Sequence, residues 1–226
     1  HIDIKFGNND EIKINVNNMN HSVIYAGVEL PNVTSNFKKK NNLIKKKIKF
    51  ISLGRLVRLK GYQDVIIALN EIKTQLPDWE YHIIGEGPYK DKLISLVNKY
   101  DLQKNIKFHG FVNDQNTKSE LLFSSDVFIG PSHSEALGLV FIEALAHGLP
   151  VIGSKTGGIP EIINSDAFGL LVTPQDINEI KNAVKKICDN LNKYDRNKLI
   201  NRSKHFSWDK VSNYYLNEYK QIIEKV

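Results

Sequence analysis

The sequence predicts an α/β protein built on a doubly wound parallel sheet of about six strands. Two observations carry that prediction. From Ile48 onward, short β-prone apolar runs alternate with segments of helical periodicity, and the runs end in glycine, at Gly54, Gly85, Gly110, Gly130 and Gly153. Parallel neighbours need a crossover, which is normally helical, so six such units imply a parallel sheet with helices on its faces. The chain has 226 residues, 41% of them hydrophobic, which suffices for one good core or one core plus a small appendage.

The units follow in order. "IKFISLG" (Ile48 to Gly54) is the first strand, and "KGYQDVIIALNEIKTQL" follows it with Val65, Ile66, Leu69, Ile72 and Leu76 at helical spacing. Next come "EYHIIG" with "KDKLISLVNKY", "NIKFHG" with "NTKSELLFSS", and "DVFIGPS" with "LGLVFIEALAHG". "PVIGS" with "IPEII" and "GLLVT" with "DINEIKNAVKKICDNL" complete the six. In an open parallel sheet ligands bind at the carboxyl ends of the strands, so the functional residues should lie in the loops just after them. The last segment, "FSWDKVSNYYLNEYKQIIEKV", reads as an amphipathic helix with Trp208, Val211, Tyr215, Tyr219, Ile222 and Ile223 on one side, and Tyr215 and Tyr219 are expected in the core.

Charge, cysteine and hydropathy exclude several classes. The net charge is +6, but "KKKNNLIKKKIK" (Lys38 to Lys49) alone holds seven lysines and no acid, leaving the remainder near neutrality. A nucleic-acid groove spread over the surface is therefore disfavoured. The run is expected to be a flexible, solvated loop; its sharper alternative is a patch touching anionic lipid or an acidic acceptor. The single cysteine, Cys188, excludes an internal disulfide and a cysteine-based zinc site, and fits a reducing, cytoplasmic compartment. No apolar run approaches the roughly 20 residues that span a bilayer, and no signal-peptide pattern opens the chain. A peripheral position at the inner face of the membrane stays open through the lysine run.

Chemistry concentrates in "SHSEALGLVFIEALAHGLPVIG". Helix signals bracket Leu139 to His147, and nearly every face of that helix is apolar, so Glu143 needs a partner. Two are available: His147, one turn later at i+4, or the hydroxyls of a ligand in a cleft. Glu135 precedes the helix in a loop expected at a strand's carboxyl end, and the backbone N–H groups around Gly138 and Leu139 would form a positive helix terminus able to take a phosphate. After the first strand, "GRLVRLKG" offers Arg55 and Lys60 to an anion, with Arg58 as competitor. The loop "GEGPYK" supplies Gly85 and Gly87 where a ligand could approach, but it does not complete a G-x-G-x-x-G fingerprint, and no P-loop is present. His109 and His133 lie beside strand ends and are assigned packing or hydrogen-bonding roles.

Taken together, "GRLVRLKG", "IIGEGP", "IKFHGFV", "DVFIGPSHSEALGLVFIEALAHGLPVIGSKTGGIPEII" and "FSWDKV" occur in the order seen in retaining glycosyltransferases of the GT-B fold. From about Val23 onward the chain resembles the C-terminal, Rossmann-like domain of glycosyltransferase family 4, the glycosyl transferases group 1. Glu135 and Glu143 fit that family's E-x7-E pattern. The resemblance implies that Glu143 hydrogen-bonds the nucleotide ribose and that Glu135 lies by the donor sugar. It implies that Arg55 and Lys60 neutralise the donor diphosphate, and that the backbone at Gly138 and Leu139 holds sugar and phosphate. The base would rest near Gly85, Gly87 and the backbone of Phe111 and Val112. The donor would be a nucleoside-diphosphate sugar, with uridine or guanosine as the expected base, and no metal or other cofactor is required.

The same resemblance implies what else the activity needs. Such enzymes have an N-terminal domain that supplies most of the acceptor site. "SVIYAGVEL" is similar to the family's interdomain junction, with Glu29 in place of the usual aspartate. Residues 1–22 are accordingly expected to be a remnant of that domain or a linker, and 23–226 the donor-binding half of a GT-B fold. The final helix is expected to cross back to the partner domain. The acceptor would be a sugar or a lipid-linked glycan, in cell-surface polysaccharide or glycoconjugate synthesis, and the chain by itself is expected to bind donor without transferring it. Competing readings are a nucleotide-sugar epimerase or a phosphorylase of related architecture, a non-catalytic nucleotide-sugar-binding module, and a membrane-surface adaptor.

Overall fold

The computed structural model describes residues 2–6, 10–14, 27–30 and 47–223. Two short strands, β1 (Ile2–Phe6) and β2 (Asp10–Ile14), form an antiparallel pair. The sequence reading did not foresee this pair in a stretch so rich in asparagine.

Six strands make the main sheet: β3 (Lys47–Leu53), β4 (Asp78–Ile84), β5 (Ile106–Gly110), β6 (Val127–Gly130), β7 (Val151–Ser154) and β8 (Gly169–Val172). They lie in the order β5-β4-β3-β6-β7-β8, and every pairing is parallel. The predicted Rossmann-like, doubly wound sheet is thus the observed one. The helices that follow the strands are α1 (Tyr62–Ile72), α2 (Lys90–Lys99), α3 (Gln115–Ser124), α4 (Leu139–Ala146), the single turn α5 (Ile159–Ile162) and α6 (Ile177–Asp189). Two further helices, α7 (Arg196–Ser203) and α8 (Trp208–Ile223), close the described chain. α7 has no strong apolar period, and only Leu199 and Ser203 on it are buried, which is why the sequence did not announce it.

Period-two alternation sends successive residues of each central strand to opposite faces. On β3, Ile48 and Phe50 join a core with α1, α2 and α6, while Ile51 joins a second core with α4, α5 and α7. A strand buried on both sides loses the alternation of apolar with polar residues, and Phe50, Ile51 and Ser52 are buried in succession. α3 and α6 are started by aspartates: Thr117 N donates to the Asp114 carboxylate at 2.7 Å and Glu179 N to that of Asp176 at 2.9 Å.

The expected lysine loop falls mostly outside the described residues. Within them, Lys47 and Lys49 belong to β3, and Lys47 is engaged with Glu80 at 3.0 Å and Asp78 at 3.5 Å. One expectation is corrected on α8: Tyr215 and Tyr219 are not core residues but are 41% and 59% exposed. Among the described side chains of the helix, Val211 near its start is the buried one. There the segment 27–30 is clasped: Val28 N donates to Phe206 O at 2.9 Å, and Trp208 N donates to Val28 O at 3.2 Å. Of the side foreseen from periodicity, Trp208, Tyr215, Tyr219 and Ile223 are exposed, as is Leu216 beside them, and the side chain of Ile222 lies outside what is described.

Candidate functional site

The sheet order reverses between β3 and β6. From β3 the chain proceeds outward to β4 and β5, and from β6 it proceeds the other way to β7 and β8. The loops leaving β3 and β6 therefore diverge, and a crevice opens beyond their carboxyl ends. Arg55 and Lys60 sit on the loop after β3, Glu135 sits on the loop after β6, and Glu143 sits on α4, the helix that follows β6.

The loops are tied together before any ligand arrives. His133 N donates to Leu59 O at 2.7 Å, and the Nζ of Lys60 lies 2.6 Å from Oε2 of Glu135. Glu135 also accepts from the hydroxyl of Ser132 at 3.4 Å and from the backbone N–H of Ala136 at 3.3 Å, and its side chain is only 13% exposed. The glycine pair after β7 supports this turn from behind. Gly158 N donates to Ala136 O at 2.7 Å, and a Cβ on Gly157, whose φ is +52°, would run into the carbonyl oxygen of Glu135. Tyr62 packs into the same recess as Lys60 and Glu135, and burial, then the negative charge of Glu135, pushes its phenol well above the ordinary value.

Next to that recess lies a cleft of about 490 Å³. Arg55, Gly85, Phe111, Val112, Lys118 and Glu143 line it, and Leu53 and Val140 line both cleft and recess, making them neighbouring compartments. Of the residues singled out in the sequence, the structure brings Arg55, Gly85, Phe111, Val112 and Glu143 to the cleft and Lys60 and Glu135 to the recess. Gly87, Gly138 and Leu139 line neither. Gly138 is the N-cap of α4 with φ +84°, and Leu139 is its exposed first residue. The glycines of "GEGP" have a further reason to be there: a Cβ on Gly85 would meet the carbonyl oxygen of Gly54, and one on Gly87 that of Leu56. Leu56 N and Tyr89 N bond across these loops to Glu86 O at 2.9 Å and Leu56 O at 3.0 Å. Glycine lets two strand-end loops meet backbone to backbone, whatever else binds nearby.

The partner of Glu143 is not the ring of His147. His147 Nδ1–H donates to the backbone carbonyl oxygen of Glu143 at 2.7 Å, leaving the carboxylate free to turn into the cleft, where Lys118 Nζ is 3.4 Å from Oε2. Burial holds the imidazole of His147 below its ordinary value, so it serves as a neutral donor, packed edge-on to Phe123. Lys118 is the site residue that sequence reasoning missed. It lies on a helix of mixed polarity, where a lysine reads as solvated, and only the packing of α3 beside α4 brings it to Glu143. His133, held by the carboxylate of Asp64, and His109, hydrogen-bonded to His82 at 2.8 Å, have the structural partners expected of them. Arg58 is exposed and lines neither compartment, and Arg55 carries no ion pair among the described residues.

An exposed guanidinium, an ammonium held by a carboxylate, and a second carboxylate in two adjoining compartments suit a ligand bearing both anionic groups and hydroxyls. Comparison with known proteins gives a family. Residues 33–206 match the family described as glycosyl transferases group 1. The chain is 33% identical over 135 residues to a putative colanic acid biosynthesis glycosyltransferase of Escherichia coli, covering 57% of this chain and 33% of that protein. Its structure is similar to sucrose-phosphate synthase from Thermosynechococcus elongatus, with a TM-score of 0.74, 26% identity, and 90% of this chain and 53% of that one covered. It is similar also to the C-terminal domain of a glycosyl transferase group 1 family protein from Francisella tularensis, with a TM-score of 0.58, 31% identity, and 74% and 86% covered. The chain spans less than half the length of the curated relatives it matches. With the match extending over most of its residues and the fold shared, the chain belongs to the glycosyl transferases group 1 family.

Proposed function

We infer that this chain is the C-terminal, donor-binding half of a GT-B glycosyltransferase of glycosyltransferase family 4. It binds a nucleoside-diphosphate sugar for transfer to an acceptor with retention of configuration. The observation that carries the reading is the shared cleft of Arg55 and Glu143, adjoining the Lys60–Glu135 recess at the switch point of the sheet. Glu143 accepts from the ribose hydroxyls, with Gly85, Phe111 and Val112 walling the base. Arg55 and Lys60 meet the diphosphate together with the N–H groups of Gly138 and Leu139 at the start of α4. Glu135 accepts from hydroxyls of the sugar.

In the reaction, the bond between the anomeric carbon and the diphosphate oxygen breaks, and the acceptor oxygen bonds that carbon on the same face. The acceptor's proton passes to the departing oxygen. Negative charge grows on the diphosphate as the bond opens, and preorganised cations and helix N–H groups stabilise charge most where it develops. Arg55 and Lys60 are placed for that role. The glutamates do not act as the acid and nucleophile of a glycoside hydrolase.

The partner domain would bring the acceptor, a sugar or lipid-linked glycan, over the recess. Two features support the partial-protein reading. The coverage of the Francisella tularensis domain is high, and α8 leaves Trp208, Tyr214, Tyr219 and Ile223 more than half exposed. No described helix is long and apolar enough to cross a membrane. A peripheral membrane contact through Lys38 to Lys49 stays a proposal, tested by sedimentation with anionic liposomes at low and high salt.

Calorimetric titration of the chain with UDP, GDP and ADP, beside Glu143→Ala, tests the main reading. Saturable binding of one nucleotide, lost in the variant, is the expected result and names the base. Binding that survives Glu143→Ala unchanged would refute the ribose assignment.

A further inference from the structure

The two cations of the site differ in kind. Arg55 is exposed on the wall of the cleft and carries no ion pair among the described residues, whereas Lys60 is committed to Glu135 at 2.6 Å. Glu135 has little freedom to let go. Its carboxylate is held by Ser132 and by the N–H of Ala136, and the turn beneath it is backed by Gly157 and Gly158. Of these two cations, an arriving diphosphate therefore meets Arg55 unengaged among the described residues and Lys60 as half of a nearly neutral ammonium–carboxylate pair.

We propose that Glu135, through this hold on Lys60, makes the site select the intact sugar nucleotide over the free nucleoside diphosphate that the reaction leaves behind. The inference rests on the donor-site reading and adds a specificity role to it. Two physical differences separate the ligands. The free diphosphate carries about three negative charges at neutral pH, because a terminal phosphate has a second pKa near 6, while the sugar diester carries about two. A carboxylate at the recess repels the former more. The sugar also offers hydroxyl donors to a carboxylate whose acceptor sites are only partly used, and the bare diphosphate offers none. Loss of the sugar removes those hydroxyl donors and leaves the carboxylate's charge facing the diphosphate, so the recess favours the sugar nucleotide. Product release is favoured by the same residue that orients the sugar.

The test is a ratio of affinities. UDP and UDP-glucose, and GDP and GDP-mannose, are titrated into the chain and into Glu135→Gln, which keeps the shape and removes the charge. The expected result is free diphosphate binding about threefold to tenfold tighter in Glu135→Gln, the effect of one unit charge in a partly solvated site, with the sugar nucleotide unchanged or weaker. Lys60→Gln, which strands the carboxylate, should weaken the free diphosphate more than the sugar nucleotide. A ratio unchanged in both variants, or free diphosphate weakened by Glu135→Gln, would overturn the inference while leaving the donor site standing. If the unaltered chain bound none of the four ligands, the donor-site reading would fail first and this inference with it. Should Glu135→Gln unfold, as read by its thermal melt, the Lys60→Gln ratio decides.

Discussion

His147 Nδ1 lies 2.7 Å from the backbone carbonyl oxygen of Glu143, and the Glu143 carboxylate points away from the ring toward Lys118. The i+4 pair seen in the sequence is therefore a side-chain-to-backbone bond. It bends no charge to structural use, and the carboxylate stays available to a ligand.

Substitution of Glu143 should accordingly separate binding from stability. Its ion pair with Lys118 is long and partly solvated, worth about 0–1 kcal/mol. Glu143→Ala should shift the urea midpoint little, yet weaken nucleotide about tenfold to a hundredfold, the effect of losing hydrogen bonds to a charged group. Large destabilisation with binding retained would restore the structural reading.

Gly85→Ala should be among the most damaging small substitutions in the chain. The residue has φ +140°, and its Cβ would press on the carbonyl oxygen of Gly54, a backbone atom that cannot rotate away. A loss of about 3 kcal/mol is expected from strain at such a position. A variant that melts with the parent would show that the two loops separate readily.

Stability should depend on pH in two windows. Glu80 is engaged by Lys107, Lys47 and His82, which hold its carboxyl down at about 2 against an ordinary 4.5; its contribution is present above 4.5 and is lost as pH falls toward 2. Burial lowers the imidazoles of His82 and His147 below the ordinary 6.5, so the unfolded chain takes up these protons first and stability declines as pH falls below 6.5. The bonding pattern explains the cost at His82. Its Nε2 is paired with Glu80 at 3.1 Å and its Nδ1 shares one hydrogen with Nε2 of His109 at 2.8 Å, so a further proton would be held in a buried pair beside the charge of Lys107. Denaturant midpoints at stepped pH check this: Glu80→Gln should flatten the acid window, and His82→Asn should shrink the upper one to the part that His147 carries. Stability constant from pH 7.5 to 5.5 would contradict the histidine assignment.

Tyr215→Ser and Tyr219→Ser should each leave stability within about 0.5 kcal/mol, the range of surface changes. As core residues they would cost about 3–5 kcal/mol. Melting curves of the single variants distinguish the two, and a loss in the larger range would mean that α8 packs on the domain beyond Val211.

Much of this protein was legible along the chain. Strand and helix periods are local properties, so the six units, the parallel sheet and the glycine-ended loops follow from "IKFISLG", "EYHIIG" and their successors. Glu135, Glu143, Arg55 and Lys60 stood out because charge in an apolar or glycine-rich setting demands a partner. The partners were a different matter. Which face of α8 is covered, that Lys118 reaches Glu143 from α3, and that Lys60 is held by Glu135 while Arg55 has no ion pair among the described residues all depend on elements brought together from distant parts of the chain, and even the local bond of His147 to a carbonyl is set beside its packing on Phe123. Lys60 and Glu135 are 75 residues apart, and their contact exists only because β3 and β6 are neighbours in the sheet. Periodicity sets how one segment presents its side chains, but the distance between segments is decided by strand order, and strand order is decided by the packing of the whole sheet.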